Sequence, residues 1–153
     1  MGSPFLSKAC DHWSCGFVDG PCDRAHFEHF IVDPAHGAIS IFQGVVRNHN
    51  EGIQAAAVDY DVHPELALNS LVELCAELTD KYPVKLRIIH SRGLVKVGMV
   101  SVIIGASSAH RKEAIDAVSE AIDLLKIRVP IWKREISPDE SYRWLDGNSL
   151  RQE

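Results

Sequence analysis

The chain has 153 residues, 46% of them hydrophobic and 24% charged, with a formal net charge of −5. This is the profile of one globular domain that buries about two-thirds of its unfolded surface. It lacks the overall basic field of a nucleic-acid binder, and no apolar run approaches the ~20 residues of a membrane span. Met1 to Lys8 shows neither the basic nor the apolar region of a signal peptide. Leu6 stands where myristoylation at Gly2 wants Ser or Thr. The expectation is a cytoplasmic protein.

Residues 1–22 mix Gly, Pro, Ser and Cys without a sustained period and are read as an extension of uncertain order; 23–153 form a single domain. Cys10, Cys15 and Cys22 lie near His12, His26 and His29. No C-x₂-C pair occurs, so reduced thiols in a loose leader are expected rather than structural zinc. Asp23 to Val32 suits a short helix with Asp23 as N-cap and Phe27, Phe30 and Ile31 inward. Ala38 to Val46 is β-rich and reads as a strand. It runs into the polar turn Arg47-Asn48-His49-Asn50-Glu51-Gly52. Arg47 there suits an oxyanion such as phosphate; the plain alternative is a solvated turn. Ala55 to Val62 alternates as a second strand.

His63-Pro64-Glu65 opens a helix with Leu71, Leu74, Cys75 and Leu78 on one face. Cys75 is therefore expected to be a core thiol. The helix stops near Tyr82-Pro83. Val84 to Ser91 alternates as a strand, with His90 a packed or exposed strand histidine. Arg92-Gly93 is expected to turn and Gly98 to break the chain. Met99 to Ala106 is apolar enough for a strand buried on both faces. Ser107 and Ser108 are expected to cap the following helix. That helix start, flanked by His110, Arg111 and Lys112, is either an anion site or an exposed first turn. Ile115, Val118, Ile122 and Leu125 form the predicted buried stripe, which places Lys126 at the edge of the core.

Pro130 ends the helix near Val129 and an extended segment follows. Lys126 then lies in the last helical turn and Lys133 on a strand, so two elements deliver two cations. Either the cations converge on an anionic or carbonyl-bearing substrate, or Lys126 answers the helix dipole and Lys133 is solvated. Ile131 to Leu145 reads as a β-hairpin on a polar turn. The architecture is α+β, one layer of helices on a mixed sheet. No P-loop, Rossmann, Ser–His–Asp or H-E-x-x-H motif is present.

Four stretches together resemble the large, catalytic subunit of molybdopterin synthase: Gly44 to Gly52, Ser107 to Arg111, Leu125-Lys126, and Val129 to Glu135. Their order and spacing match from about residue 24 to about 146. The resemblance implies an α/β hammerhead-type fold with a small additional β-subdomain. It implies transfer of two sulfurs to cyclic pyranopterin monophosphate, forming the molybdopterin dithiolene in molybdenum cofactor biosynthesis. Sulfur arrives as a C-terminal Gly-Gly thiocarboxylate on a small ubiquitin-like subunit. A homodimer of large subunits carries one small subunit at each end, a heterotetramer. No metal or other cofactor is implied.

With that reaction in view, Arg47, His110 and Arg111 are expected to bind the substrate phosphate. Lys133 would hold the incoming terminus and stabilise charge. Lys126 would bind the pterin or move protons if desolvation lowers its pKa. Phe42 either contacts the pterin or is a core aromatic. Asp59 to His63 departs from the glutamate- and tyrosine-rich strand usual in the family. The competing readings are a non-catalytic phosphate- or pterin-binding module and a scaffold for a ubiquitin-like protein.

Overall fold

The structure, a computed structural model, describes residues 6–50 and 52–145. Gly2 and Glu51 of the polar turn therefore lie outside the described residues. In chain order the elements are β1 (Leu6–Ala9), β2 (Trp13–Asp19), a 3₁₀ turn (Phe27–Phe30), β3 (Ala38–Val45), β4 (His49–Asn50), β5 (Ile53–Gln54), β6 (Ala57–Val62), α1 (Pro64–Lys81), β7 (Lys85–Lys96), β8 (Val100–Ser108), α2 (Arg111–Arg128), β9 (Ile131–Ile136) and β10 (Tyr142–Trp144). β4 and β5 make a small separate hairpin, and the other eight strands form one sheet.

The sheet branches at β7. Its first part pairs with β8 on one side and, in parallel, with β2 on the other. Its last part, Gly93 to Lys96, pairs with β6, which leads on to β9 and β10. β3 lies beyond β8. The larger arm is thus mixed and the smaller arm antiparallel, which is the α+β architecture expected.

Both helices pack on one face, α1 against β2 and α2 against β8 and β3. In α1, Pro64 occupies the first turn and the His63 side chain accepts the Leu66 N–H at 3.3 Å, removing one unpaired donor. Leu71, Leu74, Cys75 and Leu78 are buried as the spacing predicts, each leucine contributing roughly 1.5–3 kcal/mol. Tyr82 turns extended before Pro83, and Val129 before Pro130, where the proline ring disfavours helical geometry. The opposite face is covered by the segment after β2, whose Phe27 packs with Cys22, Ile89 and Ile103.

Several expectations are corrected. Residues 6–19 are a hairpin built into the sheet, with Cys15 and Phe17 fully buried. Gly16 and Ser14 interrupt the apolar pattern, and Gly16 has to be small because a Cβ there would lie 2.5 Å from the Leu6 carbonyl. Asp23 to Val32 forms only the 3₁₀ turn; Asp23 instead accepts the Ala25 N–H at 2.9 Å, an alternative to helix capping. Arg92-Gly93 does not turn: β7 runs straight through, with Gly93 at φ +90°. Ser107 and Ser108 end β8 rather than cap α2, whose N-cap is His110 without a side-chain bond. The buried stripe of α2 is Ala114, Ala117, Val118, Ala121 and Leu125, while Ile115 is 51% exposed. Small side chains let the helix lie close on the sheet and push the branched ones to its flanks. Lys126 is accordingly exposed rather than at the core edge.

Candidate functional site

Three predicted cations gather at one end of the sheet. β3 and β8 are antiparallel, with Ala38 beside Ser108 and Val45 beside Val100. Arg47 follows β3 at the Val100 end, where Val46 N–H donates to the Met99 carbonyl at 3.0 Å. α2 starts at the Ser108 end and runs back along the sheet, so Lys126 in its last turn returns to the Val100 end. β9 brings Lys133 there as well, because Lys133 is opposite Tyr60 and Tyr60 opposite Gly93 on β7. Arg47 and Lys126 are exposed.

Lys133 is placed differently. Directly opposed residues of antiparallel strands share a face. Ile131, Lys133 and Glu135 therefore lie in one row with Val62, Tyr60 and Val58. Every member of that row except Lys133 is buried. Lys133 is half-buried, an ammonium-bearing chain leaving the inward face of β9. Its neighbours are braced on both sides of the strand. Glu135, 4% exposed, receives Arg143 Nη2 at 2.9 Å. Arg134, in the outward row, donates to Asp59 Oδ2 at 2.6 Å and lies over the Trp144 ring at 5.5 Å. A strand held this way keeps the Lys133 stem in one place.

His110 and Arg111 are at the other end. They open α2 and line, with Lys112, Ile115 and Asp116, an open depression of about 470 Å³. The Lys112 ammonium is 2.8 Å from Asp116, which raises its pKa. Beneath, the Ser107 hydroxyl donates to the Ile31 carbonyl at 2.5 Å and lies 2.7 Å from His36 Nδ1, while Ser108 donates to the His110 carbonyl. His110 and Lys126 are sixteen residues apart on one helix, about 24 Å at ~1.5 Å per residue. One chain therefore does not bring His110 and Arg111 to Arg47, Lys126 and Lys133. Phe42 lies between the two ends, 37% exposed, opposite Ile104 on the helix-bearing face.

The buried member of the site is His90, one of the two alternatives left by its position on β7. It is 4% exposed, and its Nδ1 lies 2.8 Å from the Ser91 carbonyl. Its ring meets Tyr60 edge-on at 5.1 Å. Burial, and next the Lys133 charge, push its pKa down to about 4. Burial also raises the Tyr60 phenol, an effect that Ser101 partly offsets. On β7 the sequence signal was the unbroken alternation of Leu86, Ile88 and His90, which puts His90 in line with core residues.

The family model described as MoaE protein matches residues 17–128. A human protein named molybdopterin synthase catalytic subunit is 44% identical over 115 residues, 74% of this chain and 61% of that protein. The chain thus spans about three-fifths of the length of the curated relatives it matches. Among solved structures, molybdopterin synthase from Staphylococcus aureus superposes with a TM-score of 0.79 at 31% identity, covering 84% of this chain and 94% of that one. A chain from the complex of subunits 1 and 2 of the molybdopterin-converting factor of Helicobacter pylori shares the fold, with a TM-score of 0.72 at 22% identity over 86% and 90% of the two chains.

Proposed function

The chain belongs to the MoaE family, and on that premise we propose that it is the catalytic subunit of a cytoplasmic molybdopterin synthase. It transfers two sulfurs, one from each of two small ubiquitin-like subunits bearing a C-terminal thiocarboxylate, to cyclic pyranopterin monophosphate; water cleaves each acyl–sulfur bond to leave the carboxylate, and the product is the molybdopterin dithiolene. The observation that carries this reading is Lys133. It leaves β9 on the inward face, in a row whose other members are buried, so its ammonium reaches the site from the core side of the strand, and α2 and β3 bring Lys126 and Arg47 to the same end.

In this reading Lys133 holds the anionic terminus of the small subunit and stabilises the charge that develops as sulfur bonds to carbon and oxygen departs. Lys126 binds the pterin or carries a proton. A single chain leaves Lys126 exposed, so the desolvation that role needs has to come from another surface. Arg47, His110 and Arg111 bind the phosphate, and because α2 carries His110 about 24 Å from Lys126, to the end of the sheet opposite Arg47, His110 and Arg111 come from a second copy. Two features support a homodimer of this kind. β3 has no strand on its outer edge among the described residues. Ile39, Phe42 and Val45 on it, and Ile115 and Ile127 on α2, are 37–51% exposed, an apolar edge of the sort that pairs with another chain. Such a dimer with one small subunit at each end is the proposed heterotetramer, and in this reading Phe42 at its seam contacts the pterin.

The test is a single-turnover reaction. The chain, the thiocarboxylated small subunit and cyclic pyranopterin monophosphate are mixed, and dithiolene product is sought by mass spectrometry. Product from the wild type and none from folded Lys133→Ala is expected. A wild type that binds the small subunit and makes no product would refute the catalytic reading in favour of a scaffold.

A further inference from the structure

We propose that His90 is a positioning residue for Lys133: its imidazole, locked by the Ser91 carbonyl and set edge-on against Tyr60, fixes the ring beside which the Lys133 side chain leaves β9. The inference rests on the reading that Lys133 acts in the reaction. Tyr60 and Lys133 are directly opposed across β6 and β9, so their side chains start about 5 Å apart on the same face. The Tyr60 ring is fixed along its edge. It meets His90 with centroids 5.1 Å apart and planes at 80°, and Ser101 acts on its hydroxyl, lowering the phenol against the larger effect of burial.

His90 is itself fixed. A carbonyl only accepts, so the Nδ1 that lies 2.8 Å from the Ser91 oxygen carries the proton. Phe17 closes the far side, its ring centroid 6.1 Å away. The ionisable groups around the pair are Lys133 from β9, Tyr60 from β6 and the Cys22 thiol, which contacts the Ser91 hydroxyl at 3.5 Å and is pushed up to about 11 by burial. Tyr60 and Cys22, both raised by burial, are neutral at pH 7, and Arg92 lies two residues further along β7. The Lys133 charge is close enough to depress protonation of His90, so the two residues sense each other. The line continues past Tyr60: Ser101 Oγ donates to the Gly44 carbonyl at 3.4 Å, on the strand that ends before Arg47. Tyr60 is thus a plate between the strand of His90 and the approach to Arg47, with Lys133 starting directly opposite it on β9.

Two substitutions separate the parts of the argument. His90→Asn keeps a donor for Ser91 and loses the ring; His90→Phe keeps the ring and loses the donor. With saturating small subunit and pterin, His90→Asn is expected to lose roughly tenfold or more in kcat at unchanged KM, because misplacing a group by an ångström costs up to ~100-fold. His90→Phe should stay within about threefold of wild type, since the ring contact survives. A second readout does not depend on turnover. NMR titration of the His90 ring in Lys133→Met should show its midpoint moved upward relative to wild type. Folded His90→Asn with wild-type kcat, or a loss that only follows the folded fraction, overturns the proposal. So does a His90 midpoint unmoved in Lys133→Met, which decides alone if the His90 variants do not fold. Full turnover by Lys133→Met would instead defeat the catalytic reading of the site. An inactive Lys133→Met beside fully active His90→Asn would defeat the positioning role alone.

Discussion

Mild acid should destabilise this protein through His90 at pH values where its carboxylates are still ionised. Burial, aided by the Lys133 charge, holds the imidazole at about 4 in the fold against 6.5 outside it. Between those two values the unfolded chain binds a proton that the folded one refuses. Stability is therefore complete above ~6.5 and falls as pH drops toward 4. Between pH 7 and pH 5 the loss is about 2 kcal/mol, and it levels off near ~3 kcal/mol below pH 4. Urea unfolding at pH 7, 6 and 5 measures it directly. His90→Phe removes the titrating group while keeping a ring against Tyr60, so its stability should change by less than ~0.5 kcal/mol over the same range. Glu28 and Asp33 do not compete for the effect. Arg24 lowers the first, and the Ala35 N–H the second, so their contributions fade at lower pH. A wild type as stable at pH 5 as at pH 7, or a His90→Phe variant with the wild-type slope, would refute the reasoning.

Three further outcomes are expected. A shared phosphate site implies complementation: Arg111→Ala and Lys133→Ala, each inactive alone, should recover roughly a quarter of wild-type activity when unfolded and refolded together, since half the dimers are mixed and each holds one intact site; a mixture as inactive as its components would place the whole site in one chain. Gly105→Ala puts a Cβ 2.6 Å from Phe27 Cε2 and 3.2 Å from Ile31 Cδ1, and Arg87 pins that ring by lying over it at 5.3 Å and donating to the Phe27 carbonyl at 2.9 Å. Overpacking there should cost about 1–3 kcal/mol, a fall in Tm of several degrees by calorimetry. His63→Ala removes the side-chain cap of α1 and should cost ~1 kcal/mol in urea unfolding without affecting sulfur transfer.

The two helices were legible because prolines mark their ends and leucines repeat on one face of α1. β8 and the terminal hairpin were legible for equally local reasons. The hairpin of residues 6–19 was not, since its burial depends on β7, whose Leu86 pairs with Trp13, and no short window contains both. Gly93 resembles a turn residue, yet its positive φ is absorbed within a strand that changes partners at that point. In α2 the alanines did the packing that the isoleucines were expected to do, because close helix–sheet contact favours small side chains and periodicity alone does not register distance. Spacing to a proline, a strand and a turn marked Lys126, Lys133 and Arg47 as candidates but left solvated alternatives open; the family resemblance favoured the functional reading, and the fold sends all three to one end. The same chain-order reasoning could not show that His110 and Arg111 sit at the other end, because that depends on the direction of α2 along the sheet.

The parallel pairing of β2 with β7 also sets an order of events during synthesis. β2 leaves the ribosome before β7, and Trp13 has no strand partner on that side until Leu86 exists. At ~5–20 residues per second that interval is about 4–15 s. During it the Cys15 thiol and the Phe17 ring, fully enclosed in the finished fold, are open to oxidants and to chaperones that recognise apolar segments. The stretch from Trp13 to Asp19 therefore waits uncovered, and shielding arrives only when α1 and β7 close over it.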